Sequence, residues 1–158
     1  MTLAAVVAAL AATFPALTPH DIGGVRPDGN WTLRATRAHW HVPLPAHVDP
    51  SSGSEARATA SICERGVRGV AYFIGPTGMR PVDTHLFLQS VAFTAGVVTD
   101  RGVRIGSPAK GLRLHILAPG RPHSVLVFEV ANGKVVKIGF GMRGSVSAMS
   151  FSPHCPRD

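Results

Sequence analysis

The stretch Ser124–Gly141, SVLVFEVANGKVVKIGFG, decides the fold. Two apolar, β-branched runs flank Asn132-Gly133, a dipeptide suited to a two-residue type I′ turn because both residues tolerate positive φ. The predicted element is an antiparallel hairpin. A regular two-residue turn sets Val127 opposite Ile138 and Val125 opposite Phe140. With Val136, these form one apolar face for a helix to cover.

Upstream, Gly69–Ile74 (GVAYFI) and Leu88–Thr94 (LQSVAFT) read as two more strands. Their connector, Gly75–Phe87, carries Pro76, Gly78 and Pro81 and predicts a long-looped hairpin. Trp31–His41 is expected to hold a strand, and Ser51–Ser54 reads as a loop within the irregular, proline-rich stretch His20–Glu55. Arg101–Ile116 reads as turn, short strand and weak helical turn, with Ser107 as cap, Pro108 in first position and Gly111 as a weak point.

Met1–Leu17 has no charge, and Leu3, Val6, Val7, Leu10, Phe14 and Leu17 share one helical stripe behind Thr2 as N-cap. Two readings stand here, a core helix and a signal or anchor segment. The run is too short and too soon broken by Pro15 for a comfortable membrane span. The expected architecture is one α+β domain over 1–158. It consists of an antiparallel sheet of hairpins with a short N-terminal helix on one face and a tail from 145 to 158. Imperfect sub-repeats at 1–94 and 101–141 fit the order of elements.

With 158 residues, 45% hydrophobic and 16% charged, the chain can bury a real core. Its positive charge is uneven. Between Arg101 and Arg143 stand eight basic residues (Arg101, Arg104, Lys110, Arg113, Arg121, Lys134, Lys137, Arg143) against one acid, Glu129, matching the whole net charge of +7. Arg101, Arg104, Arg113, Lys134, Lys137 and Arg143 are the candidate contacts for a polyanion, either nucleic acid or an anionic surface. The charges are spaced singly, without the basic runs or the motifs of nucleic-acid binders, so a solvated face competes with that reading.

The two cysteines, Cys63 and Cys155, leave two readings open: a disulfide closing a long loop, or two buried thiols. A catalytic pair of Cys155 with adjacent His154 ranks far behind, because sequence neighbours rarely face each other productively.

Thr99–Arg113, TDRGVRIGSPAKGLR, followed by VLVFEVANGKVVKIGFG and a late Cys, resembles the end of small secreted bacterial proteins of unknown function. Their helix-plus-sheet repeat is similar to that of SmpA/OmlA-type outer-membrane-assembly lipoproteins and of the β-lactamase inhibitory protein. Met1-Thr2-Leu3-Ala4 resembles the helix start of a first repeat. The resemblance covers about the last 60 residues and the first 15. It departs at Gly111 and in the proline-rich middle. It implies a preceding strand and export signal upstream of Met1, a binding or scaffolding role, and no catalytic residues.

Two further motifs invite chemistry. Gly139-Phe140-Gly141-Met142-Arg143-Gly144 matches G-x-G-x-x-G, but a dinucleotide site needs a helix, a second parallel strand and a later acid. On an antiparallel hairpin, the glycines more naturally bend or end a strand. His39-Trp40-His41 with His47 and Asp49 is the metal-like cluster, since in a strand His39 and His41 share a face. Solvent-facing histidines around a buried Trp40 are the competing reading.

The expectation is therefore a non-enzymatic, secreted, periplasmic or envelope-associated module, with no cofactor and no transmembrane span. Its expected partner is a protein or envelope ligand, with polyanion binding as the alternative. The sequence does not specify an oligomeric state.

Overall fold

The computed structural model describes residues 31–40, 46–52, 55–64, 66–99, 101–112, 115–117, 124–142 and 147–156. The expected helix over Met1–Leu17, with which the first sub-repeat would open, lies outside the described residues.

The closing hairpin forms from β6 (Ser124–Ala131) and β7 (Lys134–Met142). Asn132 (φ 52°) and Gly133 (φ 72°) occupy its turn. Its register differs from the regular one. Ala131 pairs with Lys134 and Val130 with Val135, but Glu129 pairs with Lys137, leaving Val136 as an extra residue in a β-bulge. From there onward, pairing is shifted by one. Phe128 lies opposite Ile138 and Leu126 opposite Phe140, while Val127 and Val125 oppose Gly139 and Gly141. A one-residue shift swaps faces, so Leu126 and Phe128, rather than Val127, join Ile138 and Phe140 in the core.

The other strands are β1 (Ala46–Ser52), β2 (Glu55–Glu64), β3 (Val67–Pro76), β4 (Phe87–Ala95) and β5 (His115–Leu117). All seven join one antiparallel sheet in the order β1-β2-β3-β4-β7-β6-β5. The fold is α+β and dominated by this sheet. The long-looped hairpin β3–β4 is present as expected, and its connector holds a short 3-10 turn, η1 (Val82–Thr84). Ser51 and Ser52 belong to β1 rather than to a loop.

The described part of Trp31–His41, residues 31–40, does not hold a strand. Leu33–Trp40 is a helix, α1, because Thr32 caps it: the Ala35 N–H donates to Thr32 Oγ1 at 3.1 Å and the Thr36 N–H to the Thr32 carbonyl at 2.9 Å. Leu, Arg and Ala then supply good helix formers. Residues 101–112 contain no helix. One turn closed by the Leu112 N–H on the Ala109 carbonyl stands there, and Ser107 Oγ accepts backward from the Arg104 N–H instead of capping forward.

The sheet has two unlike faces. The first is aliphatic and aromatic (Ile62, Phe73, Leu88, Val91, Phe93, Leu126, Ile138, Phe140) and receives Leu33, Leu86 and Val97, with Trp31, Val103, Ile105 and Leu112 packing at its margin. The second presents smaller and more polar residues in register, one row being Thr59, Tyr72, Ser90 and Gly141 and the next Ser61, Val70, Ala92 and Gly139.

Candidate functional site

Segment 147–156 lies on the second face. Its 3-10 turn η2 (Ser147–Ser150) packs on β3, β4 and β7. Here the alternation of β4, with Ser90 and Ala92 on one side and Val91 and Phe93 on the other, produces a shallow seat. Gly139 and Gly141 continue that seat across β7. The buried Ser90 hydroxyl accepts from the Ala148 N–H at 3.1 Å, and Lys137 Nζ donates to the Met149 carbonyl at 2.9 Å. Phe151 stacks on Tyr72. Farther along, Ser61 Oγ accepts from the His154 N–H at 2.9 Å. The segment is then joined covalently to β2 through Cys63–Cys155, with Cα atoms 5.5 Å apart and a sequence separation of 92.

This settles the two open readings of the cysteines in favour of the disulfide. It also removes the Cys155–His154 pair as a nucleophilic site, because Cys155 has no free thiolate to offer. The Gly-x-Gly of the nucleotide-like motif is interior to β7 and paired with Ala92 and Ser90, so no phosphate-cradling turn forms at those two residues. Gly144 lies outside the described residues.

The basic candidates divide. Val98 bridges to Arg104 across a tight turn, in which the Thr99 N–H donates to the Val103 carbonyl (2.8 Å) and the Val103 N–H to Thr99 Oγ1 (3.0 Å). The chain then runs beside the start of β7: the Gly106 N–H donates to the Val135 carbonyl, the Val135 N–H to the Ser107 carbonyl, and Pro108 bridges to Lys134. Inward-leaning Val103 and Ile105 alternate with exposed Arg104 and Gly106, and Arg101, Lys110 and Lys134 are exposed as well. Beside Arg104 is an open groove of about 330 Å³ lined by Gly96, Val97, Val98, Arg104 and Ile105. Lys137 belongs elsewhere. On the second face it meets Glu129 at 3.7 Å and the Met149 carbonyl, and its side chain is only 18% exposed. Arg113 and Arg143 lie outside the described residues.

Of the metal candidates, His39 sits in α1 rather than in a strand, and His47 sits in β1. His41 lies outside the described residues. Among the described residues, no three His, Cys, Asp or Glu side chains converge on a point, and no helix is long and apolar enough to cross a membrane.

The seat of Ser61, Tyr72 and Ser90 was missed from sequence. Its signal was the alternation of Ser90 and Ala92 with Val91 and Phe93 in β4, and of Thr59 and Ser61 with Ala60 and Ile62 in β2, which marks one face that must accept a close neighbour. No protein-family model, curated protein or solved structure matches this chain.

Proposed function

We propose that this chain is a non-catalytic binding module that works outside the reducing cytoplasm, at the cell envelope or in the medium, with a protein or envelope ligand as its partner. The observation that carries the compartment is the Cys63–Cys155 disulfide, since cytosolic thiol reductants keep such pairs open. The module role is supported by the sheet itself, an antiparallel scaffold that holds surface segments in fixed positions on either face. The test is to recover the native protein from periplasm and medium under thiol-blocking conditions and to measure its mass with and without reduction. A blocked, non-alkylatable pair that becomes alkylatable after reduction is expected. Two free thiols in protein recovered from those fractions would overturn the reading.

A second reading, binding of a polyanion, has one observation in its favour. Arg101, Arg104, Lys110 and Lys134 are exposed around a single backbone-fixed excursion. It requires affinity for an anionic polymer that falls steeply with salt, through release of counterions.

A further inference from the structure

We propose that the Cys63–Cys155 disulfide is a latch: its reduction by a dithiol releases segment 147–156 from the second face while the sheet stays folded. The proposal is independent of which ligand the module takes.

The main hydrophobic core does not need the segment. Its buried residues come from the strands, from Leu33 and from the loop positions Leu86 and Val97, all on the first face. From 147–156, a single residue, Ala148, is both buried and apolar, and it joins a separate small cluster with Tyr72 and Ala92. The remaining ties are local: Met149 packed at the edge of that cluster, backbone N–H bonds accepted by Ser61 and Ser90, one bond donated by Lys137, one aromatic stack, and the disulfide.

The surface beneath is mixed, with hydroxyls beside the small apolar cluster at Tyr72 and Ala92. Thr59, Ser61 and Ser90 carry hydroxyls that water can satisfy once the segment's amides leave, whereas uncovering the first face would expose phenylalanine and leucine. Both cysteines are half-buried rather than sealed, so a reductant can reach the bond.

The exchange balances. A thiolate of the dithiol attacks one sulfur of the pair, breaking the Cys63–Cys155 bond and expelling the other cysteine as a thiolate. The second thiolate of the dithiol then attacks the mixed disulfide, closing its own disulfide and freeing the first cysteine. Two electrons pass from the dithiol to the pair, and the two thiol protons of the dithiol end on the cysteines.

Amide hydrogen exchange of the full chain, oxidised and after native-state reduction with dithiothreitol, tests the latch. Exchange within 147–156, at Ala148 and His154 above all, should accelerate by at least about tenfold. The β3, β4 and β7 amides should remain the slowest in the molecule, and reoxidation should restore the original rates. Unchanged exchange in 147–156 with both thiols shown free would overturn the proposal. So would parallel acceleration across the sheet, which would make the disulfide a brace of the whole fold. A Ser61→Ala, Ser90→Ala double variant with the disulfide intact separates latch from hydrogen bonds. Read at the Phe151 amide, whose own acceptor is the Ala148 carbonyl and not a deleted hydroxyl, the segment should stay slow until reduction, and fast exchange there while oxidised would refute the latch.

Discussion

Phe151 stacks on Tyr72 with ring centroids 5.8 Å apart and planes 20° from parallel. The two rings differ in burial: Tyr72 is 5% exposed and Phe151 is 39% exposed. Tyr72 is therefore part of the sheet's buried surface, and Phe151 is a cover laid on it. Phe151→Ala should cost about 1 kcal/mol in urea unfolding, the scale of one aromatic pair with partial burial. Tyr72→Ala should cost about 3 kcal/mol or more, as for other buried aromatics. Equal losses would contradict the assignment of Phe151 as cover.

Gly96 makes a sharper demand on its residue type. Its φ is +83°, and a Cβ there would lie 2.5 Å from the Gly66 carbonyl oxygen and 2.6 Å from Val67 Cα. Both obstacles are backbone and cannot swing away. Gly96→Ala should destabilise the domain by at least about 1–3 kcal/mol, from the strained conformation alone. Gly102→Ala is the control, with a similar φ of +77° but no atom within 4 Å of the added Cβ, and it should cost less. Thermal melts of the two variants check the order.

The hairpin shows how much of the fold the sequence made legible. Asn132-Gly133 announced the turn and the antiparallel class, because a local backbone requirement leaves a local mark. The bulge at Val136 left none: whether one valine is looped out depends on which side chains the rest of the sheet can bury. The alternative with Val125 and Val127 inside would have left Leu126 and Phe128 outside. α1 was missed for a related reason, since its cap is one threonine and the stretch is only eight residues long. The site was half legible. Cys63 and Cys155 could be counted, but Ser90 meets Ala148 across 58 residues and Ser61 meets His154 across 93, separations that no periodicity encodes.

Arg34 grips Asp83 with two parallel hydrogen bonds, Nε to Oδ2 and Nη2 to Oδ1, both 3.0 Å, tying α1 to η1. The hydrogen bonds first, and the guanidinium charge second, hold the Asp83 carboxyl below its ordinary range, against the opposing effect of partial desolvation. A carboxyl lowered in the folded state binds fewer protons there than in the unfolded chain. The pair's contribution is thus fully present above the unfolded value of about 4, and is lost as pH falls through the lower folded value. Asp83→Asn should remove this component and flatten the stability curve below about pH 4. The effect should be small and should shrink in high salt, because the pair is solvent-exposed. An unchanged acid limb would mean that the bridge does not persist in solution.

The polyanion reading makes a prediction that separates two sets of cations. Arg101, Arg104 and Lys134 are exposed at one excursion, whereas Lys137 is engaged by Glu129 and the Met149 carbonyl. If a single-stranded nucleic acid or a heparin-like polymer binds there, each phosphate- or sulfate-contacting cation adds about 0.7 to the slope of log K against log salt concentration. Replacing Arg101, Arg104 and Lys134 together with Gln should lower that slope by about 2. Lys137→Gln should leave the slope nearly unchanged, because the ammonium of Lys137 is already spoken for on the opposite face. Fluorescence titrations at four or more salt concentrations give both slopes. Equal slopes for the triple variant and the wild type would mean that the polymer does not bind at the excursion. Those charges would then belong to a solvated surface.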